Sequence, residues 1–224
     1  MDDKQRHRRL RLLIKKLNKD RKKQNMKIDI LCNDLITAQR DFIKRLSIIN
    51  FAANFYESII GTTDLNTLLY TAAEFIKAEN EDVNVTFFLR QEGDPILQKD
   101  SKTGIRENFE IHMFESGRPI AVEKQYIENC FNQELMESIS RSNKVCTVND
   151  MFAMGLDGNL NELNKISAVT IPLGLLGSSL GFILVYRSSE SKLSTNEISR
   201  ISTVISGLSR AITSCQTLSS AADR

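Results

Sequence analysis

Four cysteines are the side chains of this 224-residue chain most suited to nucleophilic or redox chemistry. Cys32, Cys130, Cys146 and Cys215 are widely scattered, and no two of them form a Cys-x-x-Cys pair. This spacing predicts reduced thiols rather than a zinc site or a dense disulfide framework. Thiol catalysis at Cys130 or Cys146 would need an activated thiolate with a resolving thiol nearby, and no local spacing indicates one. We therefore expect no catalytic residue and no metal ligand, and no particular cofactor is indicated.

Three other side chains could contact a ligand. His112 is the only histidine beyond the N-terminal segment, and it could be a haem ligand, a proton-responsive group or a hydrogen-bonded structural residue. Arg118 and Asp150 could bind an anionic or amino-bearing ligand, or could be ordinary surface charges. A phosphate-binding loop, a Ser-His-Asp set and a paired metal-ligand motif are all missing from the sequence.

Alternating strands must position any ligand site. Residues 83–90 and 109–114 alternate, and a hairpin is predicted from strands at 168–173 and 180–187. Since alternate residues lie on opposite faces of a strand, the more apolar side should face helices and the other side a pocket. The residues expected at this pocket are Thr86, Phe88, His112, Cys146, Asp150, Thr170 and Tyr186. The alternative is an ordinary sheet face covered by a connecting segment.

Helices should flank these strands. Asp64 is placed to cap a helix from about Leu65 to Ala78, and Ser194 to Glu197 reads as a capping box for a last helix that ends near Leu218. Residues 123–143 read as helix or loop, 144–148 as a further strand, and 151–165 as a loop with a short helix.

One uncharged stretch, residues 166–186, is long enough to suggest a membrane span. It contains Pro172, Gly174, Gly177 and Gly181 between segments rich in Val, Ile and Thr. This punctuation favours two buried strands joined by a turn.

A seven-residue apolar period extends from Leu10 to Ile59, and twelve of its fifteen a and d positions are apolar. Such a period predicts a left-handed coiled coil, with a second copy of the chain as the simplest partner. The orientation of the two copies is left open. Arg21 and Gln24 are polar core positions that weaken the N-terminal part. The expected dimer seam comprises Leu10, Ile14, Leu17, Ile28, Leu31, Leu35, Phe42 and Ile49.

Positive charge is concentrated at the N-terminus. Residues 1–23 hold eleven Lys or Arg and three Asp, a net charge of 11 − 3 = +8, against +2 for the whole chain. A basic amphipathic helix of this kind can bind nucleic acid, an anionic membrane or an acidic protein, or can be a solvated coiled-coil exterior. No aromatic residue is interleaved for base stacking, and no known DNA-binding motif follows.

Composition places the chain among globular proteins, with 41% hydrophobic and 26% charged residues. The N-terminus lacks the uninterrupted apolar segment of a secretory signal, so we expect a cytoplasmic protein.

The order of the predicted elements resembles that of the GAF domain, a small-molecule sensor module of signalling proteins. Thr63 to Leu69 is similar to the family's first interhelical turn, Val85 to Leu89 to its first strand, and Ile166 to Val185 to its Val-Pro-Leu hairpin. Ser142 to Asp150 and, more closely, Glu115 to Val122 resemble its Gly-x-Pro segment. The Asn-Lys-Phe-Asp-Glu pattern of the cyclic-nucleotide-binding branch and the Cys-His dipeptide of the bilin-binding branch are missing, so neither ligand is implied.

The resemblance implies an α+β fold, with an antiparallel sheet between helices and a long coiled-coil helix before it. The expected domains are a basic coil at 1–40, a GAF-like domain at 41–218 whose first helix continues the coil, and a tail at 219–224. The first function hypothesis is a homodimeric small-molecule sensor or regulator that signals through its coil to a partner in trans. The second is a ligandless adaptor that docks an acidic partner through the basic coil. The third is a GAF-fold thiol enzyme, which no motif requires.

Overall fold

The computed structural model describes residues 3–80, 82–91, 109–116, 122, 124–142, 144–175 and 177–222. The chain divides into two compact units, Met1–Asn50 and Phe51–Arg224. The boundary that the sequence analysis placed after residue 40 stays a prediction. The first buried residue of the first helix is Phe51, and the described residues before it are exposed or half-buried.

The first unit is helical. Helix α1 extends from Asp3 to Ile59, and its residues 5–46 are all exposed. The long N-terminal helix that the apolar period predicts is therefore present. The apolar side chains of the expected seam are exposed in the single chain, from 47% for Leu10 to 67% for Leu17.

The second unit is built on a five-stranded antiparallel sheet with the order β2-β1-β5-β4-β3. The alternating segments of the sequence form its strands because β-branched and aromatic side chains suit a half-buried pleated surface. The strands are β1 (Asn84–Arg90), β2 (Phe109–Phe114), β3 (Cys146–Thr147), β4 (Ile166–Leu175) and β5 (Ser178–Ser188). The uncharged stretch 166–186 is thus the predicted hairpin. In the described part of the chain, no helix is long and apolar enough to cross a membrane.

Within the described ranges, six further helices cover the sheet. They are α2 (Leu65–Glu79), α3 (Lys124–Asn129), α4 (Gln133–Arg141), α5 (Val148–Ala153), α6 (Leu160–Leu163) and α7 (Thr195–Ala222). The predicted fold class, an α+β sheet with helices on both faces, is confirmed. Helix α7 continues beyond Leu218 and includes four residues that the sequence assigned to the tail.

One face of the sheet packs against the end of α1 and against α2 and α7. Phe51, Phe55 and Ile59 of α1 are buried in this core, which we call the bundle core. Its sheet side is contributed by Val85, Phe87, Leu89, Val169, Ile171, Ile183 and Val185. The apolar stripe of α2 and the broad apolar face of α7 are both used here, as their periodicity predicted.

Local signals end and begin these elements where the sequence placed them. Gly61, with φ +81°, follows α1, and the Asp64 carboxylate accepts the Thr67 amide at the start of α2. Ser194 and Glu197 exchange side-chain and backbone hydrogen bonds at the start of α7. The buried Arg187 guanidinium pairs with Glu197 at 3.0 Å and so fixes α7 to β5.

The strand predicted at 144–148 is only two residues long. Thr147 is the N-cap of α5. Its side-chain oxygen accepts a hydrogen bond from the Asp150 backbone amide, and the Asp150 carboxylate accepts one from the Thr147 backbone amide. This capping box turns the chain into a helix at Val148 and ends β3 early.

Candidate functional site

The second face of the sheet is the one that the sequence assigned to a ligand. Strand register places Thr86 beside Leu184, Leu184 beside Thr170, and Thr170 beside Cys146. Phe88 and Tyr186 lie two residues from Thr86 and Leu184 and share this face. Five of the expected pocket residues therefore lie on one face of the sheet, which we call the second face: Thr86, Phe88, Cys146, Thr170 and Tyr186.

Helices α3 to α6 and their connections cover the second face. The buried apolar residues they contribute include Ile127, Cys130, Phe131, Leu135, Met136, Ile139, Met151 and Leu163. A salt bridge at 2.5 Å joins Arg90 at the end of β1 to Glu137 of α4. It holds α4 over the end of the sheet.

Aromatic rings fill the centre of this region. Phe88 and Phe182 are stacked, with ring centroids 4.5 Å apart and an angle of 12° between the planes. Phe131 lies 5.3 Å from Phe88 and 6.0 Å from Phe182, and Phe109 lies 6.3 Å from Phe182. Phe88 and Phe182 are completely buried. In the described chain, a close-packed cluster that we call the aromatic cluster thus lies between the sheet and α4.

A hydroxyl group interrupts this apolar surface. Thr170 is completely buried, and its Oγ1 atom has no hydrogen-bond partner in the described part of the chain. A buried hydroxyl without a partner costs about 1–3 kcal/mol, which makes this atom the strongest candidate for a ligand contact on the second face. At the end of the same face, the Asn84 side chain accepts the Ser116 amide and donates to the Tyr186 carbonyl.

His112 does not belong to the second face. Its partner in the neighbouring strand is Phe87, whose side chain lies in the bundle core. Phe114, the next residue on the same side of β2 as His112, also packs there, with its ring centroid 5.8 Å from that of Phe87. The expectation was wrong because the apolar side of β2, with Phe109 and Ile111, lies on the second face, where it packs with the residues of the covering helices. The His112 Nε2 atom lies 3.3 Å from the Glu110 carboxylate.

Asp150 is also not a pocket residue. It is exposed, and its carboxylate accepts hydrogen bonds from the Thr147 side chain and amide. The same two hydrogen bonds lower the pKa of Asp150. Its negative charge stabilises the start of α5 rather than a ligand. Arg118 lies outside the described residues.

Cys130 and Cys146, the two cysteines that pack on the second face, are buried. Burial raises the pKa of Cys130, and a hydrogen bond with the Tyr126 side chain only partly opposes the rise. The Cys130 thiol also donates to the Tyr126 carbonyl oxygen at 3.1 Å. A raised pKa is the opposite of what activates a thiol nucleophile. Cys146 lies 3.5 Å from the Lys144 carbonyl oxygen. All four cysteines are free thiols, as predicted.

Sequence reasoning missed the residues of the covering helices, because 123–143 had no decisive pattern. The usable signal was in α4, where Leu135, Met136 and Ile139 recur with helical spacing after Asn132, which caps the helix. Phe131, just before this cap, completes the aromatic cluster. No part of the described chain brings together three His, Cys, Asp or Glu residues that could hold a metal ion.

A groove of about 480 Å³ lies at the turn between β4 and β5, beside the end of α4 and the start of α7. Its lining includes Ser140, Ser179 and Ser202. Each of these hydroxyls donates to a backbone carbonyl oxygen, at 3.1, 2.6 and 2.8 Å respectively. The oxygen atoms of these three hydroxyls therefore remain available as hydrogen-bond acceptors, and no sequence pattern predicted the groove.

Known structures share this arrangement of sheet and helices. The chain is similar to the GAF domain of a phosphoenolpyruvate-protein phosphotransferase from Coxiella burnetii, with 11% identity, a TM-score of 0.53 and coverage of 78% of this chain and 98% of that one. The fold is that of a GAF domain. A second GAF domain, from an Acinetobacter phosphoenolpyruvate-protein phosphotransferase, has 12% identity, a TM-score of 0.50 and coverage of 75% and 94%. No family model and no curated protein matches the sequence.

At these identities the likeness establishes the GAF fold and leaves the function to the site itself. Within the GAF-like unit, the candidate site is the second face. There, short helices cover a row of strand residues that includes Thr170 and its hydroxyl.

Proposed function

We propose that the chain is a homodimeric regulatory protein whose GAF-like unit senses a small molecule on the second face and signals through α1 to a partner in trans. The observation that carries the sensor part is the Thr170 hydroxyl, which is completely buried and has no described partner. A ligand atom that bonds this hydroxyl would remove an energetic cost that the protein itself leaves in place.

The surroundings of Thr170 define the ligand class. Phe88, Phe182 and Leu184 make the second face mainly apolar, and cysteine and threonine are its small polar members. A matching ligand is mostly apolar or aromatic and carries one hydrogen-bonding group. Because the aromatic cluster is close-packed, such a ligand has to displace a side chain, for which Phe131 is suited since it lies between α3 and α4 and belongs to neither helix.

The dimer part rests on the exposed apolar residues of α1. Ile28, Leu31 and Leu35 are 55%, 66% and 60% exposed in the single chain, and they follow the a and d positions of consecutive heptads. Burying such a stripe against a second copy is the physical role of a seven-residue period.

The signalling part rests on α1 contributing residues to both units. Phe51, Phe55 and Ile59 are buried in the bundle core, on the other side of the same sheet from Thr170. We propose that a ligand which shifts β4 and β5 also repacks these residues, and that the change reaches the dimer seam along the helix.

Ligand titration of the purified full-length chain tests the sensor. Candidate apolar metabolites are titrated while the melting temperature is followed, in parallel with mass spectrometry of any small molecule that copurifies. The Thr170→Val variant should bind a true ligand of the second face at least tenfold more weakly, since one hydrogen bond contributes about 0.5–1.5 kcal/mol and its loss leaves a ligand group unpaired. A ligand that binds both proteins equally does not use this site.

A ligandless adaptor is the second candidate, and the stacking of Phe88 on Phe182 favours it. A face filled by its own side chains can serve as a hydrophobic core and nothing more. This candidate predicts that no copurifying molecule and no metabolite raises the melting temperature. Burial raises the pKa of Cys130, which argues against a thiol enzyme; measurable turnover that is lost in both Cys130→Ser and Cys146→Ser would support one.

A further inference from the structure

We infer that the N-terminal part of α1 binds the phosphate backbone of double-stranded nucleic acid, without base specificity, through the side of the helix opposite the dimer seam. This inference rests on the seam of the proposed homodimer, but it needs no ligand in the GAF-like unit.

Helical geometry separates the two surfaces. At 3.6 residues per turn, Leu10, Ile14 and Leu17 share one side of α1. Lys15 and Lys19 lie on the opposite side of the same helix. The surface that we call the basic face consists of Arg8, Arg9, Lys15, Lys16, Lys19, Lys22 and Lys23. These residues occupy the b, c and f positions of the heptads, so they stay exposed when the seam closes.

The charge density of this segment matches a polyanion. Residues 5–23 hold ten Lys or Arg and one Asp, a net charge of 10 − 1 = +9. At about 1.5 Å per residue the segment is roughly 28 Å long, and a duplex carries one phosphate per about 1.7 Å of axis, or roughly 17 over that length. The seven residues of the basic face thus supply about two positive charges for every five phosphates, within a segment where every described side chain is exposed.

A duplex explains these features better than a membrane. A helix that lies in a membrane surface must insert its apolar side, and here that side, through Leu10, Ile14 and Leu17, is the start of the dimer seam. The sequence before Phe42 contains no Phe, Tyr or Trp, which are the usual anchors at a membrane interface. The same lack of aromatic residues argues against stacking on single-stranded bases. Phosphate contacts by Lys and Arg need neither feature.

The test is the binding of the full-length protein to a short fluorescent DNA duplex at a series of salt concentrations. If one helix contacts about five phosphates, the association constant should fall roughly 500-fold between about 50 and 200 mM salt. A variant with Lys15, Lys16, Lys19, Lys22 and Lys23 all changed to Gln should bind more weakly and with a much shallower salt dependence, since only Arg8 and Arg9 of the basic face remain. The matched control changes five exposed basic residues elsewhere to Gln, namely Lys27, Arg40, Lys44, Lys192 and Arg210, and should retain the slope.

Other probes decide between the alternatives. Phosphatidylserine vesicles and an acidic polypeptide are offered to the same three proteins. Binding to the duplex that only the basic-face variant loses supports the inference, and duplexes of different sequence should bind equally. Preference for vesicles, for the acidic polypeptide or for single strands overturns it, as does equal loss in the control. Sedimentation of the free protein reports the dimer separately, so a monomer that still binds the duplex refutes the dimer and not the basic face.

Discussion

Replacing Thr170 by valine tests the physical basis of the proposed site. Valine has nearly the shape of threonine, so Thr170→Val removes the hydroxyl and keeps the packing beside Leu184 and Cys146. In the native chain this hydroxyl is completely buried and has no described partner. The variant should therefore be more stable than the native protein in the absence of ligand, an unusual sign for a change in a buried position.

The size of the effect follows from the cost of the unpaired group. A buried hydroxyl without a partner costs about 1–3 kcal/mol, and removing it should return most of that amount. For a domain of this size each kcal/mol corresponds to roughly 2–4 °C in melting temperature. Urea unfolding, monitored by circular dichroism, gives the free energy of unfolding directly, and an unchanged denaturant slope shows that the unfolded state is not altered.

Thr213→Val is the matched control. The Thr213 hydroxyl donates to the Ser209 carbonyl oxygen at 3.0 Å in α7, so the same chemical change there removes a hydrogen bond. It should destabilise the protein by about 0.5–1.5 kcal/mol. If Thr170→Val is destabilising to the same extent, the Thr170 hydroxyl is already satisfied, and the argument for a ligand at this position fails.

Three further predictions concern the expected seam, the contact between Tyr56 of α1 and Gly207 of α7, and pH. Leu31→Asp places a carboxylate at a d position of the expected seam and should convert the proposed dimer to a monomer, since an unpaired buried charge costs about 3–5 kcal/mol; sedimentation measures this. A Cβ atom on Gly207 would lie 2.1 Å from the Tyr56 ring, so Gly207→Ala should lower the free energy of unfolding, measured in urea, by about 1–3 kcal/mol. In a Tyr56→Ala background the clash is removed, and the same change should raise the free energy of unfolding by up to about 1 kcal/mol because alanine favours the helix. Burial opposes ionisation of Glu197, but hydrogen bonds from Ser194 and Arg187 outweigh it and lower the pKa of this carboxyl. The ionised carboxylate therefore stabilises the folded protein above the unfolded-state pKa, and this contribution is lost as the pH falls through the folded-state pKa. Urea unfolding at neutral and acidic pH should therefore show a large effect of Glu197→Gln only at neutral pH.

Each of these three predictions is contradicted by a specific result. Asn33→Asp adds the same charge on the outer side of α1 and should leave the dimer intact; equal dissociation would mean that net charge, not the seam, is responsible. A Gly207→Ala protein that is more stable than the native one would show that the Tyr56 ring moves aside freely. A constant effect of Glu197→Gln from neutral to acidic pH would exclude the ionised carboxylate as its cause.

Much of the fold was readable from local sequence. The helix that ends before Gly61, the cap at Asp64 and the hairpin of 166–186 depend on residues within a few positions of one another, and all three are present. Such signals act through backbone hydrogen bonds and conformational preferences that neighbouring residues alone decide.

The candidate site was only partly readable. Alternation correctly separated each strand into two sides, and it brought Thr86, Phe88, Thr170 and Tyr186 to one face. It could not say which side of β2 joins which face, because that depends on register with β1, and so His112 was misplaced. The role of Asp150 was likewise decided by a turn into α5 that competes with strand pairing.

The sequence by itself determined that the apolar heptad positions of α1 and its basic face lie on opposite sides of the helix, since a seven-residue period separates them whatever surrounds the helix. Only the tertiary structure decided that the second face is closed by Phe131 and α4 and that the Thr170 hydroxyl is left without a described partner. The physical reason is that burial and hydrogen-bond satisfaction depend on residues far apart in the chain, which become neighbours only when the sheet and its covering helices pack.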